Sequence, residues 1–198
     1  MKQFSEKTLQ NLKKYEILLQ KWQKRINLVG PQTVSDAWRR HFEDSMQLWE
    51  YIPDNARVLV DLGSGAGFPG LVLAIIAVEE RPSLVVHLVE SDSRKCVFMT
   101  EVARECGASV QIHEERIEQM DGFPADVITA RALKDVKTLL SYSRPFVVPQ
   151  TMALFLKGEK GRQEWQDVGS VVSAGADFIP SQTDKNGIIL KLTQIKYQ

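Results

Sequence analysis

A chain of 198 residues, 43% hydrophobic and 25% charged, has the makeup of one folded domain with a modest extension, which excludes a disordered chain. Its 25 lysines and arginines balance 25 aspartates and glutamates, so any polyanion partner must be met by local clusters of charge and not by the net field. Two cysteines, Cys96 and Cys106, exclude a disulfide framework, and His41, His87 and His113 are poorly spaced for a metal site.

Met1 to Lys7 holds no signal-peptide core, and no apolar run approaches the roughly 18 residues of a membrane span, so a cytoplasmic protein is expected. From Glu6 to Arg25 the apolar Leu9, Leu12, Ile17, Leu18, Leu19 and Trp22 fall largely three and four apart, the period of an amphipathic helix. A second helix is expected from Val34 to Tyr51, carrying Trp38, Phe42, Met46 and Trp49 on one face and capped by Ser35 or Asp36.

After Arg57 short apolar runs alternate with longer helical ones. Strands are expected at 57–62, 84–90, 108–113, 125–130, 152–157 and 187–195, and helices at about 70–79, 93–106, 135–147 and 160–174. Strands as apolar as 57–60 and 153–156 imply a mainly parallel sheet covered on both faces, a doubly wound α/β domain. The partly alternating last strand suits an edge or antiparallel position.

Gly63, Gly65, Gly67 and Gly70 follow the first strand directly and open a helix. Glycine there permits positive φ and close approach of a ligand to the backbone, and the helix N-terminus offers unpaired N–H donors. Gly65 to Gly70 also satisfies the dinucleotide pattern, so a nicotinamide oxidoreductase is one reading and a non-catalytic nucleotide-binding module another. Asp61 tilts the balance, because a carboxylate near the loop repels a pyrophosphate and favours the cationic amino end of S-adenosylmethionine.

Glu90, at the end of the second expected strand, lies where a carboxylate can accept two ribose hydroxyls. Ile117 and Glu118 follow the third strand, where an adenine ring would lie. Arg131 follows the fourth, where a guanidinium can hold a methionine carboxylate bidentately while taking no part in the core.

Several separated motifs then agree with one family. Ile26-Asn27-Leu28, residues 39–45 with Arg39, Arg40 and His41, Asp61 through Gly70, Glu90-Ser91 with Arg94-Lys95, Arg116-Ile117-Glu118, Ala130-Arg131-Ala132 and Leu156-Lys157-Gly158 come in its order and spacing. The chain resembles the bacterial small-subunit ribosomal RNA guanine-N7 methyltransferases of the RsmG (GidB) type over essentially its whole length.

The resemblance implies a class I S-adenosylmethionine-dependent methyltransferase, Rossmann-like with a seven-stranded, mainly parallel sheet, over 56–198. Residues 1–55 would form a helical extension packed on it. It implies S-adenosyl-L-methionine as cofactor, S-adenosyl-L-homocysteine as product, and 16S ribosomal RNA or the small ribosomal subunit as partner of a monomer without metal. Asp61, Gly63, Gly65, Gly67, Phe68, Glu90, Ile117, Glu118 and Arg131 are the expected cofactor-binding residues. Arg39, Arg40, His41 and Lys157 are the expected RNA contacts. No catalytic acid or base is assigned, because guanine N7 carries an in-plane lone pair and no proton, and alignment is the main task.

Overall fold

A computed structural model describes residues 2–198. The chain opens with helix α1, Glu6–Gln23, whose N-terminus is closed by the Ser5 side chain accepting from the Thr8 N–H at 3.0 Å. Its inward stripe is Thr8, Leu12, Tyr15 and Leu19, and the stripe packs on α3 and α4.

The second expected helix is an irregular run instead. A 3-10 turn at Pro31–Asp36, a π turn at Trp38–Glu43, one α turn at Asp44–Met46 (α2) and a 3-10 turn at Gln47–Tyr51 follow one another. Ser35 and Asp36 do not cap it; Pro31 starts the run, with no side-chain cap. The π turn buries the adjacent His41 and Phe42.

Seven strands form one sheet in the order β3-β2-β1-β4-β5-β7-β6. They are β1 (Val58–Leu62), β2 (Val85–Glu90), β3 (Val110–Glu114), β4 (Ala125–Arg131), β5 (Val147–Lys157), β6 (Val172–Pro180) and β7 (Ile188–Tyr197). The first five are mutually parallel, and β7 runs antiparallel between β5 and β6. Helices α3 (Gly70–Glu80), α4 (Ser93–Cys106), α5 (Val136–Ser143) and α6 (Gly161–Gln166) complete the connections. Strand order reverses between β1 and β4, and in such sheets ligands settle outside the carboxyl ends of the strands at that point.

Two expectations need correction. Residues 172–174, read as the end of a helix, begin strand β6, because α6 stops at Gln166. The alternation of Val172, Ala174, Ala176 and Phe178 with Ser173, Gly175 and Asp177 is the strand period, muted by small residues on an edge strand. Strand β5 starts at Val147 and not at 152, since a register shift absorbs Pro149 and Gln150. Thr151 bridges that shift, accepting from Val148 N and donating to the Ala125 carbonyl.

Helix α3 is apolar on every side because it is covered twice. Residues from Gly70 to Ala77 are all buried, between the sheet and the N-terminal segment. Leu12, Tyr15, Phe42, Leu48 and Trp49 therefore share one core with Leu71, Leu73 and Phe98. No described helix is long and apolar enough to cross a membrane.

Candidate active site

The stretch after β1 turns sharply. Gly63, Gly65 and Gly67 take φ values of 65°, 59° and 93°, in the left-handed region. At Gly67 an added Cβ would sit 2.7 Å from Tyr15 Oη and 2.8 Å from Leu71 Cβ, so only glycine lets α1 approach the loop. At Gly65 the same Cβ would meet nothing nearer than Gly63 O at 3.9 Å, so this side of the loop is open to a ligand. Ser64 N donates to Val89 O at 2.9 Å and ties the loop to β2.

Asp61 is fully buried beneath the loop. Its carboxylate accepts from Thr129 Oγ1 at 2.7 Å and from Gly70 N at 3.1 Å, joining β1, β4 and the start of α3. The expected contact with a cofactor amino group is not what the geometry offers, since both oxygens are spent inside. Phe68 is likewise internal, 3% exposed, stacked on Tyr15 at 5.2 Å and on His41 at 5.2 Å.

Burial raises the Asp61 carboxyl to about 6, against hydrogen bonds that favour the ion. The stability linked to its neutral form is therefore full below about pH 4 and lost as pH rises through 6. His41 runs the other way: burial, then the charges of Arg131 and Arg40, lowers it to about 3, so its contribution is present above about 6.5 and lost on acidification. Asp61→Asn can keep both partners, its Oδ1 accepting from Gly70 and its Nδ2 donating to Thr129, while removing one titration. Between pH 4 and 7 the unfolding free energy of the variant should gain on wild type by on the order of 3 kcal/mol. Denaturant titrations at several pH values measure this difference; a flat one would refute the assignment.

Glu90 stands at the end of β2 on the open side. Its Oε2 accepts from Gly65 N at 2.9 Å, and its Oε1 from Ser91 N and Asp92 N at 2.8 Å each. A cleft of about 150 Å³ is lined by Gly63, Glu90, Ile117, Glu118, Leu133 and Tyr142 among others. Ile117 is half-buried there, and Glu118 accepts from Tyr142 Oη at 2.6 Å, which lowers its carboxyl. Tyr142 was not anticipated: on the sequence it is one more apolar position of α5.

Arg131 lies beyond this cleft. Its Nη1 donates to the Arg40 carbonyl at 3.1 Å and to His41 Nδ1 at 2.6 Å, while Asp44 Oδ2 lies 4.0 Å away. The guanidinium also covers the Phe68 ring at 4.9 Å. It is a connector between β4 and the N-terminal segment, contrary to the expectation of a group with no part in the core. Its Nε and Nη2 have no partner among the described residues.

Arg131 and Ala132 line a second cavity of about 400 Å³, with Arg40, His41, Asp44 and Lys157. Ala132, at φ 50°, turns the chain so that Leu133 faces the smaller cleft. Asp44 was missed as a wall residue; it accepts from Thr183 Oγ1 and Gln47 Nε2 at 2.8 Å each, pinning the 181–187 loop across a separation the sequence does not reveal.

The expected RNA contacts divide. Arg39 and Arg40 are exposed. His41 is 7% exposed and both ring nitrogens are engaged, so it is an internal link in the wall of the larger cavity and not a free surface cation. Lys157 is also internal, paired with Glu164 at 2.7 Å and donating to the Lys134 carbonyl at 2.7 Å.

The fold has solved counterparts. A SAM dependent methyltransferase from Aquifex aeolicus covers 79% of this chain and 92% of its own at TM-score 0.60 and 12% identity. Cofactor-bound Rv0187 from MTB covers 93% of this chain and 90% of its own at TM-score 0.65 and 14% identity. At such identity they show the fold alone, a class I Rossmann-like sheet. Relatives by sequence are nearer. The Ribosomal RNA small subunit methyltransferase G of Rhodospirillum centenum is 47% identical over 96% of this chain and 86% of its own length. That of Paramagnetospirillum magneticum is 48% identical over 96% and 91%. The family model for rRNA small subunit methyltransferase G, GidB, matches residues 8–182, and the chain belongs to that family.

Proposed function

We propose that this chain transfers the methyl group of S-adenosyl-L-methionine to N7 of a guanine in 16S ribosomal RNA. Membership of the family carries the coarser statement, that it is an rRNA methyltransferase with S-adenosyl-L-methionine as cofactor. The nicotinamide oxidoreductase and the non-catalytic module fall away with it.

The observation that supports the finer reading is a pair of cavities lined by consecutive residues of one segment, Arg131 and Ala132 for the larger and Leu133 for the smaller. The residues of the smaller cleft fit a nucleoside. Glu90 is braced by three backbone N–H groups, retains one acceptor site, on Oε2, for a ribose hydroxyl, and holds the N–H of Gly65, whose other side is open. Ile117 offers an apolar surface to adenine, and Glu118 an acceptor beside it. Arg131 would grip the methionine carboxylate through its free Nε and Nη2 edge. Asp61, Gly67 and Phe68 shape the loop from behind without touching the ligand.

When bound, the cofactor supplies an electrophilic methyl on a sulfonium. The larger cavity would then receive guanine, whose N7 needs no base to remove a proton, so the chain's task is alignment. Residues 1–55 supply one wall of that cavity and the exposed Arg39 and Arg40, whereas 56–198 carries the cofactor cleft. We take the working form to be a cytoplasmic monomer.

Mapping N7-methylguanine in ribosomal RNA from cells with and without this protein tests the reading. One N7-methylguanine of the small-subunit RNA should disappear without it and return when purified protein and S-adenosyl-L-methionine are added. An unchanged map would sink the N7 assignment.

A further inference from the structure

A third depression, of about 380 Å³, lies between the end of α1 and the start of α4, outside both cavities. Its wall is Lys24, Arg25 and Asn27 from one side, Asp92, Arg94 and Lys95 from the other. Four cations thus face one carboxylate, and Asp92 is already taken by the Arg94 fork, at 2.9 and 3.1 Å. Lys24 and Arg25 are exposed and have no carboxylate partner among the described residues. In a chain with no net charge, this is a concentrated positive site.

The depression is held in shape. Gln23 clamps the loop that follows α1, its Oε1 accepting from Leu28 N and Val29 N at 3.0 Å each and its Nε2 donating to Val29 O at 2.9 Å. Asn27 lines the depression, and Leu28, Val29 and Gly30 line the larger cavity, so one rigid loop forms the partition between them. On the other side Lys95 Nζ lies 4.0 Å from Glu90 Oε2, which places the basic wall next to the cofactor cleft.

We propose that this depression binds the phosphate backbone of the substrate RNA next to the nucleotide placed in the larger cavity, with Lys24 and Arg25, which no carboxylate holds among the described residues, as the phosphate contacts and the paired Arg94 and Lys95 as the facing wall. It rests on the RNA reading above but uses residues that reading does not. Cations of this kind position the strand without reading its sequence. Each phosphate contact contributes about 0.7 to 0.9 to the slope of log affinity against log salt.

The test is a salt titration, from 50 to 200 mM, of full-length protein binding to small-subunit ribosomal RNA. Lys24→Ala with Arg25→Ala should lower the slope by about 1.4 to 1.8 and weaken binding about tenfold or more at the lower salt. Lys24→Glu with Arg25→Glu should weaken it further, and Lys24→Arg with Arg25→Lys should keep the wild-type slope. S-adenosyl-L-homocysteine affinity and melting temperature should be the same in all, because neither residue touches the cofactor cleft or the core.

An unchanged slope in the alanine and glutamate variants overturns the proposal, as does failure of wild type to bind the RNA. Methyl transfer is scored separately: a wild type that binds with the expected slope but leaves N7 unmodified refutes the catalytic reading and not the phosphate site.

Discussion

Replacing Phe68 by alanine should lower the unfolding free energy by about 3 to 5 kcal/mol, a large part of the 5 to 15 that holds a typical domain folded. The ring is the hub of a buried cluster. It stacks on Tyr15 at an interplanar angle of 10°, meets Phe42 edge-on at 5.1 Å, and carries His41 and Arg131 on its faces. Tyr15 in turn donates to the Ala66 carbonyl, so α1 holds the glycine loop through this cluster. The alanine variant should therefore also lose affinity for S-adenosyl-L-homocysteine, although Phe68 does not line the cleft. Phe68→Leu, which keeps most of the apolar volume, should cost less than half as much. Denaturant unfolding with and without S-adenosyl-L-homocysteine measures both effects; an alanine variant within about 1 kcal/mol of wild type would show that the cluster is not what anchors the loop.

The parallel half of the sheet was legible because its signal is local. Buried parallel strands are nearly continuous apolar runs, and β1, β2 and β4 read as such within a residue or two. Strand β6 was not legible, since Ala174, Gly175 and Ala176 blunt its alternation and its pairing partner β7 lies later in the chain. The irregular run at 31–51 was also hidden. Its apolar spacing is helical, but the turns it adopts are set by what His41, Phe42 and Trp49 must meet in the core, a tertiary demand that overrides local preference.

For the site, sequence spacing located the loop and the strand ends well, and side-chain direction poorly. Glu90, Ile117 and Glu118 do converge with Gly63 on one cleft, as residues beyond neighbouring strand ends must. Asp61 and Phe68 belong to the same motif but point to the interior, and only long-range partners, Thr129 for one and Tyr15 for the other, reveal it. His41 and Lys157 failed as surface cations for the same reason: Arg131 and Glu164, the groups that consume them, are 90 and 7 residues away. A charge motif does not state whether its charge is already spent.

Arg131→Ala should therefore show two effects of different origin. In the folded chain the guanidinium can only donate, so His41 Nδ1 must accept, and the ring proton sits on Nε2, donated to Thr33 Oγ1 at 2.9 Å. Thr33 passes the chain on to the Gly30 carbonyl at 2.7 Å. Truncation strands a buried acceptor on His41 and removes the nearest cation from Asp44, at a cost of about 1 to 3 kcal/mol in unfolding free energy. With one of the causes that lowers His41 gone, the loss of stability on acidification should also become shallower than in wild type.

The second effect is on the ligand. If the free Nε and Nη2 edge grips a carboxylate, S-adenosyl-L-homocysteine affinity should fall about tenfold to a hundredfold, the equivalent of one charge-assisted contact. Arg131→Lys should recover little of it, since an ammonium lacks the planar fork that holds a carboxylate bidentately while a third N–H serves His41. Calorimetric titration at neutral pH, well below the melting temperature of each variant, separates the two effects. A variant that loses stability but binds S-adenosyl-L-homocysteine as wild type does would leave Arg131 as a connector alone, and the methionine carboxylate would need another partner in the larger cavity, for which the exposed Arg40, another cation of its lining, is the candidate.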